Sequence, residues 1–404
     1  MQEDKLASLI NKTLNEIPIV DMHTHLFPYE FNEFCLYGID NILTYHYLIA
    51  EYFRFQNTSS QFFWTLAKEN QAELIWKTLF IDNTPLTEST IGVLKILNEL
   101  GISFNKSLNV IRSQFDNIID GNPKNYIEKI LTHSNVKKVV MTNDPLDINE
   151  IKFWNESVFQ NKRFKFALRL DSVCKTLIKD INIQLFSKNY SLKRDISNFL
   201  TDLIEKTNPE YLSISLPDHF NFDGQEMFFL NDYIFPLLSK YNLPIVFMIG
   251  VRRKVNVDYH SAGDGVGKFN IIVLEKLCKK FRSIKFFVTL LSRENQHELA
   301  VLARKFSNLI PFGSWWFLNN LFNSTEIGEM RTSLLGNSFV FQHSDSRVIE
   351  HLIYKWNRSK EVLSEILLSR YSELIRLNYP VTKKIIKRDA YKFLNSNYQE
   401  NINN

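Results

Sequence analysis

Eight short apolar runs recur along the chain, and each of them ends in polar or charged residues. They are Ile17–His25, Val136–Asp144, Arg163–Asp171, Tyr211–His219, Leu243–Arg252, Ile284–Arg293, Asn308–Phe317 and Asn337–Arg347. Because the runs are rich in β-branched and aromatic residues, they predict buried parallel strands. Segments whose apolar residues have helical spacing lie between them, for example Ser191–Thr207 and Asn270–Arg282.

Strands that alternate with helices predict an α/β fold, and eight of them favour a closed (β/α)8 TIM-like barrel. The alternative is an open doubly wound sheet, which a glycine-rich turn after the first strand would favour. The first strand ends instead in DMHTHLFP, which contains no glycine. The barrel is therefore the preferred prediction.

About a hundred residues separate the first two strands, and Phe34–Ser134 has helical spacing of its apolar residues. We expect a helical insertion after strand 1 that covers the barrel mouth, where insertions shape the pocket of such folds. The expected organisation is 1–33 for the N-terminal helix and strand 1, 34–134 for the insertion and 135–404 for the remaining barrel. Two C-terminal helices and a polar tail complete the last region.

Composition and charge argue against several classes of protein. The net charge of +4 is spread over the whole chain, whereas nucleic-acid binding usually shows a basic stripe or block. No apolar stretch is long enough for a membrane span, and the N-terminus has no apolar signal core. Three scattered cysteines do not make a disulfide framework. We expect a cytoplasmic protein that binds neither nucleic acid nor membrane; a homo-oligomer is compatible with the sequence.

The strongest local signal is the pair His23 and His25 at the end of the first predicted strand. Residues i and i+2 of a strand share one face, so both imidazoles can reach one metal ion. The alternative is two satisfied histidines at a strand end. Because the pair ends the first strand of a predicted barrel, metal binding is the favoured interpretation. Imidazole suits zinc, iron, manganese or nickel.

The second signal is Asp345 and Arg347, which end the eighth predicted strand. Barrel closure brings strands one and eight together. Asp345 is then expected to complete a metal site with His23 and His25, or to act as a base beside the metal. The alternative is an ordinary surface pair of Asp345 with Arg347.

Together these motifs resemble the amidohydrolase superfamily, and within it the uronate isomerase (glucuronate isomerase) family. The resemblance is scattered over nearly the whole chain in a shared order. The motifs that carry it are DMHTHLFP, His46-Tyr47, Thr142-Asn143-Asp144-Pro145, Leu168-Arg169-Leu170-Asp171, Asp218-His219, Gly263-Asp264-Gly265-Val266-Gly267, Gly313-Ser314-Trp315-Trp316-Phe317 and Ser344-Asp345-Ser346-Arg347.

The resemblance implies an aldose–ketose isomerase of carbohydrate metabolism. Its reactions are D-glucuronate to D-fructuronate and D-galacturonate to D-tagaturonate, with proton transfer between C2 and C1. It also implies one divalent metal ion, with zinc expected first, and a sugar-acid substrate. The catalytic residues that it implies are Asp345, Arg347, Tyr47 and His46; those expected to bind substrate are Arg169, Trp315, Trp316 and His219.

One departure from the family pattern concerns the fifth strand. The family has a histidine before Ile-Gly, whereas this chain has Met248 before Ile249-Gly250. A thioether is a poor ligand for a borderline divalent ion. The departure predicts a divergent member with a changed substrate, weaker metal affinity or no activity. Two alternatives to the isomerase also stay open: a metal-dependent hydrolase of a sugar-acid lactone, ester or amide, with Asp345 as base, and a non-catalytic sugar-acid binding protein that keeps Arg169 and Arg347.

Overall fold

The computed structural model describes residues 3–56, 59–159, 161–180 and 190–403. Its strands are β1 (Ile19–Thr24), β2 (Val136–Asn143), β3 (Phe164–Arg169), β4 (Leu212–Leu216), β5 (Ile245–Ile249), β6 (Val251–Arg252), β7 (Gly265–Val266), β8 (Phe286–Leu290) and β9 (Leu309–Pro311). Within these residues, β1-β2-β3-β4-β5-β8-β9 form one parallel sheet in that order, and β6 pairs with β7 in an antiparallel hairpin. This α/β arrangement is consistent with a TIM-like barrel.

Seven of the predicted strands are confirmed, and the eighth is not formed as a regular strand. Only an isolated bridge joins Val340 to Phe312, next to β9. On the other side, the amide of Asp345 donates to the carbonyl of His23 at 3.1 Å. The segment thus makes backbone bonds to both edge strands of the sheet. Asp345 has a left-handed backbone (φ 50°), outside the β region, so the extended conformation is interrupted at this residue.

Helices fill the connections between the strands. They are α1 (Glu3–Glu16), α2 (Ile39–Leu43), α3 (His46–Phe55), α4 (Ser60–Thr65), α5 (Lys68–Trp76), α6 (Glu88–Glu99), α7 (Leu108–Ile119), α8 (Pro123–His133), α9 (Ile148–Ile151), α10 (Glu156–Phe159), α11 (Asp171–Asp180), α12 (Tyr190–Thr207), α13 (Gln225–Phe229), α14 (Phe235–Tyr241), α15 (Ile272–Lys280), α16 (Gln296–Ala303), α17 (Leu321–Leu335), α18 (His351–Arg376), α19 (Lys383–Tyr391) and α20 (Asn397–Asn403). The expected polar tail is therefore helical. Among the described helices, none combines the length and apolar character that a membrane crossing requires.

The buried strands carry two hydrophobic layers because successive side chains of a strand point to opposite faces. In β5, Phe247 joins the large core between sheet and helices, whereas Val246 and Met248 join a second cluster. That second cluster also contains Tyr211 and Trp315. Polar residues follow these apolar runs. The side chains that can bind or react with a ligand therefore lie at the carboxyl ends of the strands.

Candidate active site

A cavity of about 660 Å³, including its opening to solvent, lies at the carboxyl ends of the strands. Its lining residues are His23, His25, His46, Arg169, Asp171, Ser213, Ile214, Ser215, Met248, Arg253, Ser261, Asp264, Trp315, Trp316, Asp345 and Arg347. The structure thus brings together eight of the ten site residues that the sequence indicated.

Three of these side chains converge on one point. The Nε2 atoms of His23 and His25 lie 3.8 and 3.4 Å from Oδ1 of Asp345. One donor atom from each residue lies within 4.8 Å of the others. His23 Nε2 and Asp345 Oδ1 are buried and have no hydrogen-bond partner among the described residues. Buried polar atoms seldom stay unpartnered, so a shared cation fits this cluster.

Two hydroxyl groups fix which ring nitrogens carry hydrogen. Tyr211 gives its hydrogen to the carbonyl of Met22 at 2.7 Å and lies 3.1 Å from His23 Nδ1. Its oxygen can therefore only accept from that ring, so Nδ1 of His23 carries the hydrogen. The same argument applies to His25. The hydroxyl of Thr142 donates to a backbone carbonyl and lies 2.8 Å from His25 Nδ1, so this nitrogen also carries the hydrogen. Both Nε2 lone pairs are left facing Asp345, as metal ligands require.

The ionisation states agree with this arrangement. Burial lowers the pKa of His23 to about 4 and the pKa of His25 to about 3, so both rings are neutral at pH 7. Burial alone would raise the pKa of Asp345, but this pKa is held well below its usual value, in part by the positive charge of the buried Lys355. The cluster thus offers two neutral nitrogens and one carboxylate, a donor set for a borderline divalent ion.

Replacing Tyr211 by Phe is expected to weaken binding of Zn²⁺ to the metal-free protein by about 10–100-fold, because it removes the group that orients His23. The buried N–H of His23 would also lose its acceptor, at a cost of roughly 1–3 kcal/mol in the free energy of unfolding. Zn²⁺ affinity can be measured by competition with a chromophoric chelator. Tyr241→Phe, which removes an exposed hydroxyl bonded to Glu205, is the control. Equal affinity in both variants would contradict the tautomer assignment.

The cavity wall carries three arginines in different electrostatic states. Arg169 lies 3.3 Å from Asp171, and Arg253 lies 2.5 Å from Asp264. Arg347 is exposed and has no ion pair within the described residues. An unpaired guanidinium beside a metal site is free to bind an anionic group of a ligand.

Aromatic side chains form another part of the wall. Trp315 is buried, and Trp316 adopts a left-handed backbone (φ 49°). The ring of His46 lies 5.2 Å from Trp316 in an edge-on arrangement. Tyr47 lies behind Trp316, with ring centroids 6.2 Å apart, and does not line the cavity.

His219 is the other indicated residue that lies away from the cavity. Its side chain is 79% exposed, and it borders a neighbouring cavity that shares Asp171 and Arg253 with the first. Contact of Tyr47 or His219 with substrate stays a prediction.

Sequence reasoning missed several cavity residues, namely Asp171, Ser213, Ser215, Arg253, Ser261 and Asp264. Ser213 and Ser215 alternate along β4, and that polar spacing in an apolar run was a usable signal. Asp171 belongs to the quoted motif Leu168-Arg169-Leu170-Asp171, in which the resemblance implied a role for Arg169 alone. Asp264 likewise belongs to the quoted motif Gly263-Asp264-Gly265-Val266-Gly267, whereas Arg253 and Ser261 lie in no quoted motif and reach the mouth only through the fold.

Solved structures of other proteins are similar to this chain over its whole length. A uronate isomerase from Bacillus halodurans C-125 is 39% identical, with a TM-score of 0.92 and coverage of 100% of this chain and 97% of that chain. A uronate isomerase from Thermotoga maritima (16% identity, TM-score 0.75, 98% and 97% coverage) and a glucuronate isomerase from Caulobacter crescentus (13%, 0.77, 99% and 94%) share the fold. No protein-family model and no curated protein matches the chain.

Proposed function

This chain belongs to the uronate isomerase family, and we propose that it interconverts D-glucuronate with D-fructuronate or D-galacturonate with D-tagaturonate. It is an aldose–ketose isomerase of hexuronates. The observation that carries the assignment is full-length similarity at 39% identity, joined to a cavity that holds His23, His25, Asp345 and Arg347. The family favours isomerisation over the hydrolase and the binding protein that the sequence left open.

The reaction moves hydrogen between neighbouring carbons of the open-chain sugar. The aldose loses a proton from C2 while O1 gains one; the resulting enediol then loses a proton from O2 and gains one at C1, which gives the 2-ketose. Such an intermediate needs a base and a positive charge near its oxygens. In the proposal Asp345 is metal ligand or base, and the unpaired Arg347 stabilises the negative charge that develops on the sugar oxygen while the proton leaves C2. His46, on the cavity wall, exchanges protons with substrate hydroxyls.

The proposed cofactor is one divalent ion, zinc first and manganese, iron or nickel as alternatives. His23, His25 and Asp345 would hold it, and their unpartnered donor atoms support this. When bound, the ion polarises the carbonyl and hydroxyl oxygens of the sugar. Met248 lines the same cavity and offers no further ligand suited to these ions.

Substrate orientation comes from the other end of the sugar. Arg169 is the proposed partner of the substrate carboxylate, since a guanidinium can form two parallel hydrogen bonds to a carboxylate. Trp315 and Trp316 are proposed to form part of the pocket wall beside the sugar. Both residues line the cavity, which supports this. Tyr47 is proposed to act from behind Trp316, and His219 is proposed to act at the rim of the cavity.

The helices of residues 34–134 are proposed to be an insertion that covers the mouth, with 1–33 and 135–404 as the barrel. Ring contacts support this: Trp64 stacks on His260 at 4.4 Å, and Phe53 stacks on Tyr259 at 4.5 Å. Both contacts link helices after β1 to the segment that carries the cavity residue Ser261. A cytoplasmic location is part of the proposal, and the free cysteines Cys35, Cys174 and Cys278 support it.

Proton NMR of the purified protein with D-glucuronate or D-galacturonate in deuterated water tests the function. We expect ketose signals for at least one substrate after addition of Zn²⁺ or Mn²⁺, and weaker conversion after chelation of the metal. The deuterium content at C1 reports how far the transferred proton exchanges with solvent. Absence of ketose from both uronates with zinc, manganese, iron and nickel would contradict the proposed substrates.

A further inference from the structure

A buried lysine behind the metal cluster has no contact with the proposed metal or substrate in the chemistry described so far. Lys355 lies on α18, and its side chain is only 4% exposed. It does not line the active cavity. Burial of an ammonium group is unfavourable because the charge loses its hydration, unless the surroundings compensate the charge. Its presence next to the site therefore calls for a physical reason.

The ammonium group of Lys355 donates a hydrogen bond to the carbonyl oxygen of Ser344. On the other side of this residue, the amide N–H of Ser344 donates to Oδ1 of Asp21 at 3.0 Å. A positive group thus faces the carbonyl of Ser344, and a carboxylate faces its N–H. Each charged group thus meets a partial charge of the opposite sign. The two side chains together fix the backbone on both sides of Ser344.

Asp21 is itself fixed by the same helix. The indole Nε1 of Trp356 donates to Oδ2 of Asp21 at 3.0 Å. Consecutive residues of α18 thus hold the carbonyl of Ser344 directly and its N–H through Asp21. The ring of Tyr47 lies 6.0 Å below the ammonium group of Lys355, at the limit of a cation–π contact.

The residue after Ser344 needs such support. Asp345 has a left-handed backbone (φ 50°), which is strained for a non-glycine residue and persists only where surrounding contacts enforce it. Its own amide donates to the carbonyl of His23. This conformation places Oδ1 of Asp345 near both imidazoles. If Ser344 rotated, the carboxylate would leave the cluster.

We propose that Lys355 and Asp21 are positioning residues of the isomerase, which clamp Ser344 from both sides and so aim the carboxylate of Asp345 at the metal position. This inference rests on the proposed metal site. It assigns no contact with substrate to either residue, since neither lines the cavity.

The test compares Lys355→Met with Lys360→Met. Both lysines lie on α18, but Lys360 bonds to Asn15 on α1, away from the site. We expect Lys355→Met to bind Zn²⁺ about 10–100-fold more weakly and to lose kcat by a similar factor, with KM changed less than about threefold. Lys355→Arg should restore part of both losses, since it keeps a cationic donor. Lys360→Met should match the parent protein.

Parental Zn²⁺ affinity and kcat in Lys355→Met would overturn the inference, whether or not the melting temperature of this variant is lower. Should Lys355→Met fail to fold, Asp21→Asn carries the same test, because it weakens the other side of the clamp; parental values there would also overturn the inference. Zn²⁺ affinity is measured without substrate, so this arm stays informative even if the parent protein isomerises neither uronate.

Discussion

Replacing Asp345 by Asn is expected to lower kcat for hexuronate isomerisation by roughly 10³-fold or more while leaving the fold intact. The carboxylate carries the one negative charge of the cluster, and its Oδ1 faces both imidazoles. An amide of the same shape can neither neutralise a divalent ion nor accept a proton from C2. Loss of a general base alone costs about 10²–10⁴-fold, and weaker metal binding adds to that loss.

The control for this variant is Asp264→Asn. Asp264 also lines the cavity, but its carboxylate pairs with Arg253 and does not belong to the histidine cluster. We expect this variant to keep its metal and most of its kcat. Steady-state rates, metal content by elemental analysis and circular dichroism distinguish the two variants. Full metal content together with near-parental kcat in Asp345→Asn would remove Asp345 from both of its proposed roles.

The seven regular strands could be predicted because strands buried on both faces are apolar along nearly their whole length. In β5 and β8 every residue is buried. The eighth segment lacks that property after Phe341, where Gln342, His343, Ser344 and Asp345 follow. Its backbone bonds to the side chains of Asp21 and Gln342 as well as to strands. A polar segment whose backbone is held by side chains cannot be assigned to strand or loop from the sequence pattern.

The grouping of His23, His25 and Asp345 could be anticipated because the histidines are two residues apart and Asp345 ends the segment that meets them in space. The groups that orient it could not. Tyr211 comes directly before the apolar strand β4, and this position indicates only a core residue. Its hydroxyl nevertheless determines which ring nitrogen of His23 carries the hydrogen. Lys355 lies in a helix at the other end of the chain from β1. Both acquire their roles only through contacts between residues that are distant in sequence.

Replacing Arg169 by Met is expected to raise KM for uronates by about 10–100-fold, because a hydrogen-bonded charge contact is worth roughly 1.5–3 kcal/mol and each 1.4 kcal/mol is a factor of ten. The effect should be selective: turnover of a neutral aldose such as D-glucose, which lacks the carboxylate, should change little. Comparison of kcat/KM for D-glucuronate and D-glucose measures this selectivity.

A complication is that Arg169 also pairs with the buried Asp171 at 3.3 Å, so the single variant leaves a carboxylate without its partner. The double variant Arg169→Met/Asp171→Asn removes this charge and should keep the selective loss for uronates. Arg253→Met is a second comparison, because Arg253 lines the same cavity on the hairpin and is held by Asp264. A loss of equal size for uronate and neutral sugar in the double variant would show that Arg169 shapes the cavity without binding the carboxylate. A selective loss in Arg253→Met alone would place the carboxylate at the hairpin instead.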